Sequence, residues 1–356
     1  MSTLLRRTLY SIAAGITLYV VVVLWFDVDA LQQTLVGYPW ALFVAALALS
    51  AGNYLLRFAK WELSLHWLRV RDQAPDLTVG RSLLIYLAGL LMSVTPGKVG
   101  EVLRSTLLKA SDGIPFTRTA PVVVADRLTD LIALVLLAAI GVAERPEYVP
   151  ILVITLILVS VGVGVLGSPR LLGKLLDRLD RIPRLRGIVA KARPLIDSSV
   201  TLMQRGPMFW LSVLSVIGWG LECVGFWLIV NGFTGVDASL RTCTLLWSAG
   251  TLVGALSFLP GGLGATEGSL VVATTRMVAG ATQPVAMAAA LLGRTATLWF
   301  GELVGGVALA LFLRNPAVRG RALDGDDEPA DDGVGRADGN GPLGPQDGTA
   351  EPADRA

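Results

Sequence analysis

Two short stretches of this chain set helix-breaking residues and charge inside apolar sequence. The first is Ser93-Val94-Thr95-Pro96-Gly97-Lys98-Val99-Gly100-Glu101, with Arg104 just beyond. The second is Ser257-Phe258-Leu259-Pro260-Gly261-Gly262-Leu263-Gly264-Ala265, followed by Glu267. Both read S-x-x-P-G-x-x-G, 164 residues apart. Proline lacks an N–H and glycine accepts tight turns, so each stretch interrupts a helix. Broken helices at corresponding places in two halves present backbone ends that can hold ionic groups, as in transporter binding sites. Further charge lies inside apolar runs, at Asp126, Arg127 and Asp130 and at Arg294. Asp126 and Asp130 are four apart and share a helix face, and Arg127 can reach Asp130 at i+3. Ionisable groups this deep in apolar sequence are expensive and normally face a cavity.

A substrate pathway is therefore expected at Pro96, Gly97, Lys98, Glu101, Arg104, Asp126, Arg127, Asp130, Pro260, Gly261, Gly262, Glu267 and Arg294. A planar guanidinium suits bidentate contacts to phosphate, which gives Arg104, Arg127 and Arg294 their role. Glu101, Glu267 and Asp126 would balance these arginines or hold a cationic group. Helix N-termini after Pro96-Gly97 and Pro260-Gly261 add positive partial charge. The opposing reading is that the charges pair with one another and lock the fold. Asp126 and Asp130 could also serve acid/base chemistry. Gly97-Lys98 is not a phosphate-binding P-loop, since Met92 and Val99 stand where that motif needs Gly and Ser/Thr. No catalytic residue, metal site or cofactor is expected. Cys223 and Cys243 are not in ligand spacing and read as buried thiols, and the lone His66 as an interfacial residue.

Composition places these motifs in a membrane. The chain is 53% hydrophobic and 16% charged, with mean hydropathy +0.62, and several apolar runs are long enough to cross a bilayer. The net charge of +2 hides an asymmetry. Residues 317–356 hold ten acids and four arginines, a net −6, which leaves +8 on the rest. That tail is rich in Gly, Asp and Pro and reads as disordered. The positive remainder fits basic loops facing an anionic cytoplasmic leaflet.

The expected fold is an all-α polytopic membrane protein with about six full spans and two re-entrant Pro-Gly hairpins. The spans lie near 10–26, 39–56, 119–142, 150–167, 207–230 and 284–313. The first is read as retained rather than as a cleaved signal peptide. Arg57 and Lys60 open a basic, Trp-containing stretch to Arg71 that would lie in the interface, the two cations snorkelling from a helix end. The first hairpin covers about 82–110 and is entered from the cytoplasm; the second covers about 242–280 and is entered from outside. A single crossing at 82–110 would put the nine Lys and Arg of 168–206 outside, against the positive-inside rule, whereas a hairpin or two full crossings keeps them in the cytoplasm. The halves, about 39–142 and 207–313, then form an inverted repeat joined by a basic cytoplasmic linker, 168–206. Residues 1–316 make one transporter-like domain, with both termini cytoplasmic in the plasma membrane.

Thr95-Pro96-Gly97-Lys98-Val99-Gly100-Glu101-Val102-Leu103-Arg104-Ser105, Asp126-Arg127-Leu128-Thr129-Asp130-Leu131 and Leu259-Pro260-Gly261-Gly262-Leu263-Gly264-Ala265-Thr266-Glu267-Gly268-Ser269 together resemble one known family. It is the transmembrane domain of lysylphosphatidylglycerol synthases, with its stand-alone, flippase-like relatives. The resemblance covers about residues 5–315. It implies movement of aminoacylated or other polar lipids between leaflets, with aminoacyl transfer left to a separate soluble domain that the 40-residue tail cannot hold. The family reading predicts a lipid flippase, with the headgroup between the broken helices and the acyl chains in the bilayer. The alternatives are an integral-membrane enzyme on lipid-linked precursors, or a scaffold in envelope assembly. The expected partners are a phospholipid or other polar lipid and the bilayer, with a homo-oligomer or an envelope-biosynthesis protein as further possibilities and no nucleic acid.

Overall fold

The computed structural model describes residues 28–94, 102–144, 146–166, 168–183, 185–187, 189 and 201–314. The expected first span, the tip of the first Pro-Gly break and the acidic tail lie outside them. The described residues are mostly helical and contain no strand. In chain order the helices are α1 Val28–Leu35, α2 Trp40–Trp67, α3 Val79–Ala88 with a 3-10 turn Gly89–Met92, α4 Val102–Asp112, α5 Phe116–Val142 and α6 Val149–Leu166. They continue as α7 Pro169–Asp180, α8 Arg205–Val230, α9 Leu240–Leu256, α10 Ala265–Met277, α11 Gln283–Arg294 and α12 Phe300–Phe312. A π-helical turn, Thr295–Trp299, carries α11 into α12 without a break.

Three of these, α2, α8 and the continuous α11–α12, are long and apolar enough to cross a membrane. The 28 residues of α2 reach about 42 Å at 1.5 Å per residue. Here the structure corrects the sequence reading. The helix does not stop near Leu56; the basic stretch continues the same rod through Lys60 to Trp67. His66, on its last turn, is exposed. The arms flanking the two breaks are shorter. Helix α9 has 17 residues, α10 has 13 and α4 has 11, or about 26, 20 and 17 Å, all below the ~30 Å hydrocarbon thickness.

Local sequence explains where the elements begin and stop. Thr78, Ser168 and Ser239 cap α3, α7 and α9, each side-chain oxygen accepting from a backbone N–H three residues on. At the second break Gly261, Gly262 and Gly264 all have positive φ (59°, 68° and 82°). Only glycine adopts that region without strain, which is why this Pro-Gly-Gly-x-Gly string makes a turn and not a helix.

The long helices pack in antiparallel pairs. On α2 and α8, Lys60 meets Ser215, Asn53 meets Glu222, and Tyr38 meets the Ile229 carbonyl. Helix α5 runs against α9, with Gly141 at Leu245 and Glu144 at Thr242. Helix α12 runs against α3, with Gly305 at Leu91 and Glu302 at Val94. The last contact is the closest. A Cβ on Gly305 would lie 2.3 Å from the Leu91 nitrogen and 3.0 Å from the Leu87 carbonyl, both backbone atoms that cannot turn away. Gly305→Ala should therefore lower the melting temperature in detergent, a loss of about 1–3 kcal/mol. Gly306→Ala, whose Cβ would make an ordinary 3.6 Å contact to Leu91, should melt like the parent. Equal melting of the two variants would refute this packing.

Packing along the rods is layered. One apolar cluster joins Ala46, Ala133, Leu134, Val135, Leu137, Phe226 and Ala286–Ala290. Another joins Trp61, Leu65, Val122, Ala125, Leu211, Ala308 and Phe312. Helices α2, α5, α8 and the continuous α11–α12 each pass from one to the other, and between the two every one of them carries polar or charged residues.

Candidate functional site

Three helices supply the centre of that middle layer. Lys60 on α2 is fully buried. Its ammonium donates to Thr129 Oγ1 (3.0 Å) and Asp130 Oδ1 (3.2 Å) on α5 and to Ser215 Oγ (2.7 Å) on α8. It also lies 3.1 Å from Asp126 Oδ1. Three donors on one nitrogen match three acceptors, which is what a buried ammonium requires. Ser215 in turn donates to Asp130 at 2.9 Å. This overturns the snorkelling assignment: Lys60 points into the bundle because α5 offers it two carboxylates.

Around this core sit the guanidinium groups. Arg57 Nη2 is 2.9 Å from Asp130 Oδ2, and its guanidinium lies 4.9 Å from the Trp219 ring centroid. Arg104 Nη1 is 3.6 Å from Asp126 Oδ2, and its guanidinium lies 4.3 Å from the Tyr86 ring centroid. Gly89 leaves room for it, since a Cβ there would come within 2.4 Å of Arg104 Cγ. Both are cation–π placements inside a low-dielectric bundle. Glu222 receives the Asn53 amide on one oxygen and the Trp247 indole N–H (3.2 Å) on the other.

The second break is stitched by its own pair. Arg294 Nε donates to Glu267 Oε1 at 2.7 Å, and Arg294 Nη2 donates to the Gly261 carbonyl at 2.5 Å. The other Glu267 oxygen accepts from the Gly264 N–H at 2.7 Å. Near the first break, the Val94 N–H donates to Glu302 at 3.0 Å. The second break meets the residue just before the first Pro-Gly stretch: Val94, Leu263 and Leu298 pack together, and a Cβ on Gly261 would lie 3.3 Å from the Val94 Cα.

Between these groups lies a cavity of about 360 Å³. Arg57, Arg104, Arg127 and Arg294 line it, with Asp130, Glu222 and both Gly261 and Gly262. Tyr54, whose hydroxyl donates to the Thr297 carbonyl in the π-helical turn, closes one wall. Of the residues expected from sequence, Arg104, Arg127, Asp130, Gly261, Gly262 and Arg294 converge on this space. Asp126 and Glu267 stand behind it, each holding an arginine, and Pro260 opens the turn beside it. Pro96, Gly97, Lys98 and Glu101 lie outside the described residues. Among the described residues no group of His, Cys, Asp and Glu could hold a metal ion, and both cysteines are buried and free.

Sequence reading missed Asn53, Tyr54, Arg57, Lys60, Trp219, Glu222 and Trp247. One signal was available. Asn53, Arg57, Lys60 and Ser64 recur at four, three and four residues, a single helical face.

Apolar rods of membrane-crossing length around a buried ionic cavity define a polytopic helical membrane protein. Its family follows from comparison: the lysylphosphatidylglycerol synthase TM-region family matches residues 12–305, and the chain belongs to it. A UPF0104 membrane protein of Methanothermobacter thermautotrophicus is 23% identical over 326 residues, covering 85% of this chain and 92% of the relative. A second match to a UPF0104 membrane protein of that organism is 33% identical over 99 residues, 28% of each chain.

Proposed function

We propose that this chain moves a polar, phosphate-bearing lipid between membrane leaflets, with the headgroup in the cavity between the two broken helices. The observation that carries the proposal is the convergence of Arg57, Arg104, Arg127 and Arg294 on one 360 Å³ cavity in an apolar bundle. Arginines are well suited to phosphate because of their planar, bidentate donors. The family's lipid-related name supports a lipid substrate. The antiparallel pairing of α2 with α8, and the exchange of partners between α3–α12 and α5–α9, support an inverted repeat. In that reading α2–α5 and α8–α12 are the two units, and the short arms at each break are re-entrant. The basic charge of the membrane part supports cytoplasmic termini.

The test is leaflet exchange. Purified protein in liposomes is supplied with headgroup-labelled anionic or aminoacylated phospholipid. Arg127→Gln should lower the initial exchange rate at least tenfold in protein that still elutes as the parent does. Equal rates for parent and variant would sink the proposal.

A further inference from the structure

A second cavity, of about 250 Å³, lies between α5, α6, α9 and α10. Its walls are almost wholly apolar and include Val135, Ala138, Leu245, Ala249, Val253 and Ala273. An apolar cavity of roughly 150 Å³ already stays dry and takes up a benzene-sized guest, so a space this large favours hydrocarbon over water. It adjoins the ionic cavity on three helices. On α5 the linings are consecutive, Leu134 in the ionic cavity and Val135 in the apolar one. On α9, Thr251 and Gly254 face the arginines while Gly250, Leu252 and Val253 face the apolar space. On α10 the change falls between Thr266 and Ser269. Helix α6, which contributes Thr155, exposes Val153, Ile154, Leu156, Ile157 and Val161 on its other faces, a surface suited to lipid.

The geometry points to an acyl-chain subsite: one hydrocarbon chain of the lipid whose phosphate sits among the arginines is enclosed in the α5–α6–α9–α10 cavity. This rests on the proposed lipid reading. It departs from the expectation that the chains stay wholly in the bilayer. It also makes chain length, and not headgroup alone, a determinant of which lipid is held.

The test reads chain position, not transport. The full chain in nanodiscs is loaded with phosphatidylglycerol bearing a diazirine midway along one chain, then irradiated and mapped by peptide. Label should fall on residues 245–253 and 269–277. Filling the cavity with Ala249→Trp and Ala273→Phe should lower that label at least fivefold, with Ala249→Leu intermediate and elution unchanged. Arg127→Gln should lower it too, because headgroup and chain belong to one molecule. Label that persists after filling, or that ignores Arg127→Gln as a resident structural lipid would, overturns the subsite. A chain-shortened dioctanoyl lipid separates the two readings. Its exchange should survive cavity filling, whereas failure of the headgroup site abolishes exchange of both lipids.

Discussion

Lys60→Met should remove most of the folded protein, or lower its melting temperature by the equivalent of about 3–5 kcal/mol, the usual effect of deleting one partner of a buried ion pair. The substitution keeps the length of the side chain and deletes the ammonium. It leaves Asp126 and Asp130 without their shared cation, and it removes the hydrogen bond that Lys60 donates to each of the Ser215 and Thr129 hydroxyls. Arg57 and Arg104 hold the outer oxygens of these carboxylates but do not reach the position of the lost nitrogen. A second substitution, Asp126→Asn on the Lys60→Met background, should recover part of the loss by removing one buried charge. Thermal unfolding in detergent, followed by tryptophan fluorescence, measures both. Lys60→Met melting like the parent would show that the ammonium does not bridge α2, α5 and α8.

Glu267→Gln and Arg294→Gln should each destabilise the second break by about 3–5 kcal/mol, and the double variant should be milder than the sum of the two. Arg294 joins Glu267 to the Gly261 carbonyl, while Glu267 ties back to the Gly264 N–H. The pair therefore holds three glycine-dependent backbone angles in place. A double-mutant cycle on melting gives the coupling energy; additive losses would place the two groups in independent roles. Loss of exchange in such variants would report the shape of the break. Arg127→Gln, at the wall of the cavity, is the cleaner probe of headgroup binding.

The second Pro-Gly break was legible in the sequence because its cause is local. Pro260 and three positive-φ glycines forbid a helix whatever surrounds them. The charged run of α5 was legible because Asp126, Arg127 and Asp130 interrupt an otherwise apolar helix. Lys60 was misjudged for the opposite reason. It follows an apolar run, where a cation ordinarily marks the end of a span, and only the Asp pair of α5 and Ser215 of α8 draw it inward. Those partners are 66 to 155 residues away in sequence. Glu222 carried no pattern of its own, as a lone acid within an apolar helix, and Asn53, though it shares a face with Arg57 and Lys60, gave no sign of its partner. Their pairing depends on the antiparallel register of α2 and α8, which small residues at Gly52 and Gly218 bring close.

The layering of the bundle also has an electrical consequence. The charged layer begins at Asn53, near the midpoint of α2 between Trp40 and Trp67, and extends to Lys60, about two turns further on. Were α2 to span the bilayer symmetrically, an ion or headgroup reaching the Asn53 level from either face would cross about half of the transmembrane voltage. Moving one elementary charge across the whole membrane is worth about 2.3 kcal/mol per 100 mV, so reaching the layer is worth about half of that. A charged substrate held there would gain or lose affinity with membrane potential, in opposite senses for the two faces, without any part of the protein having to move.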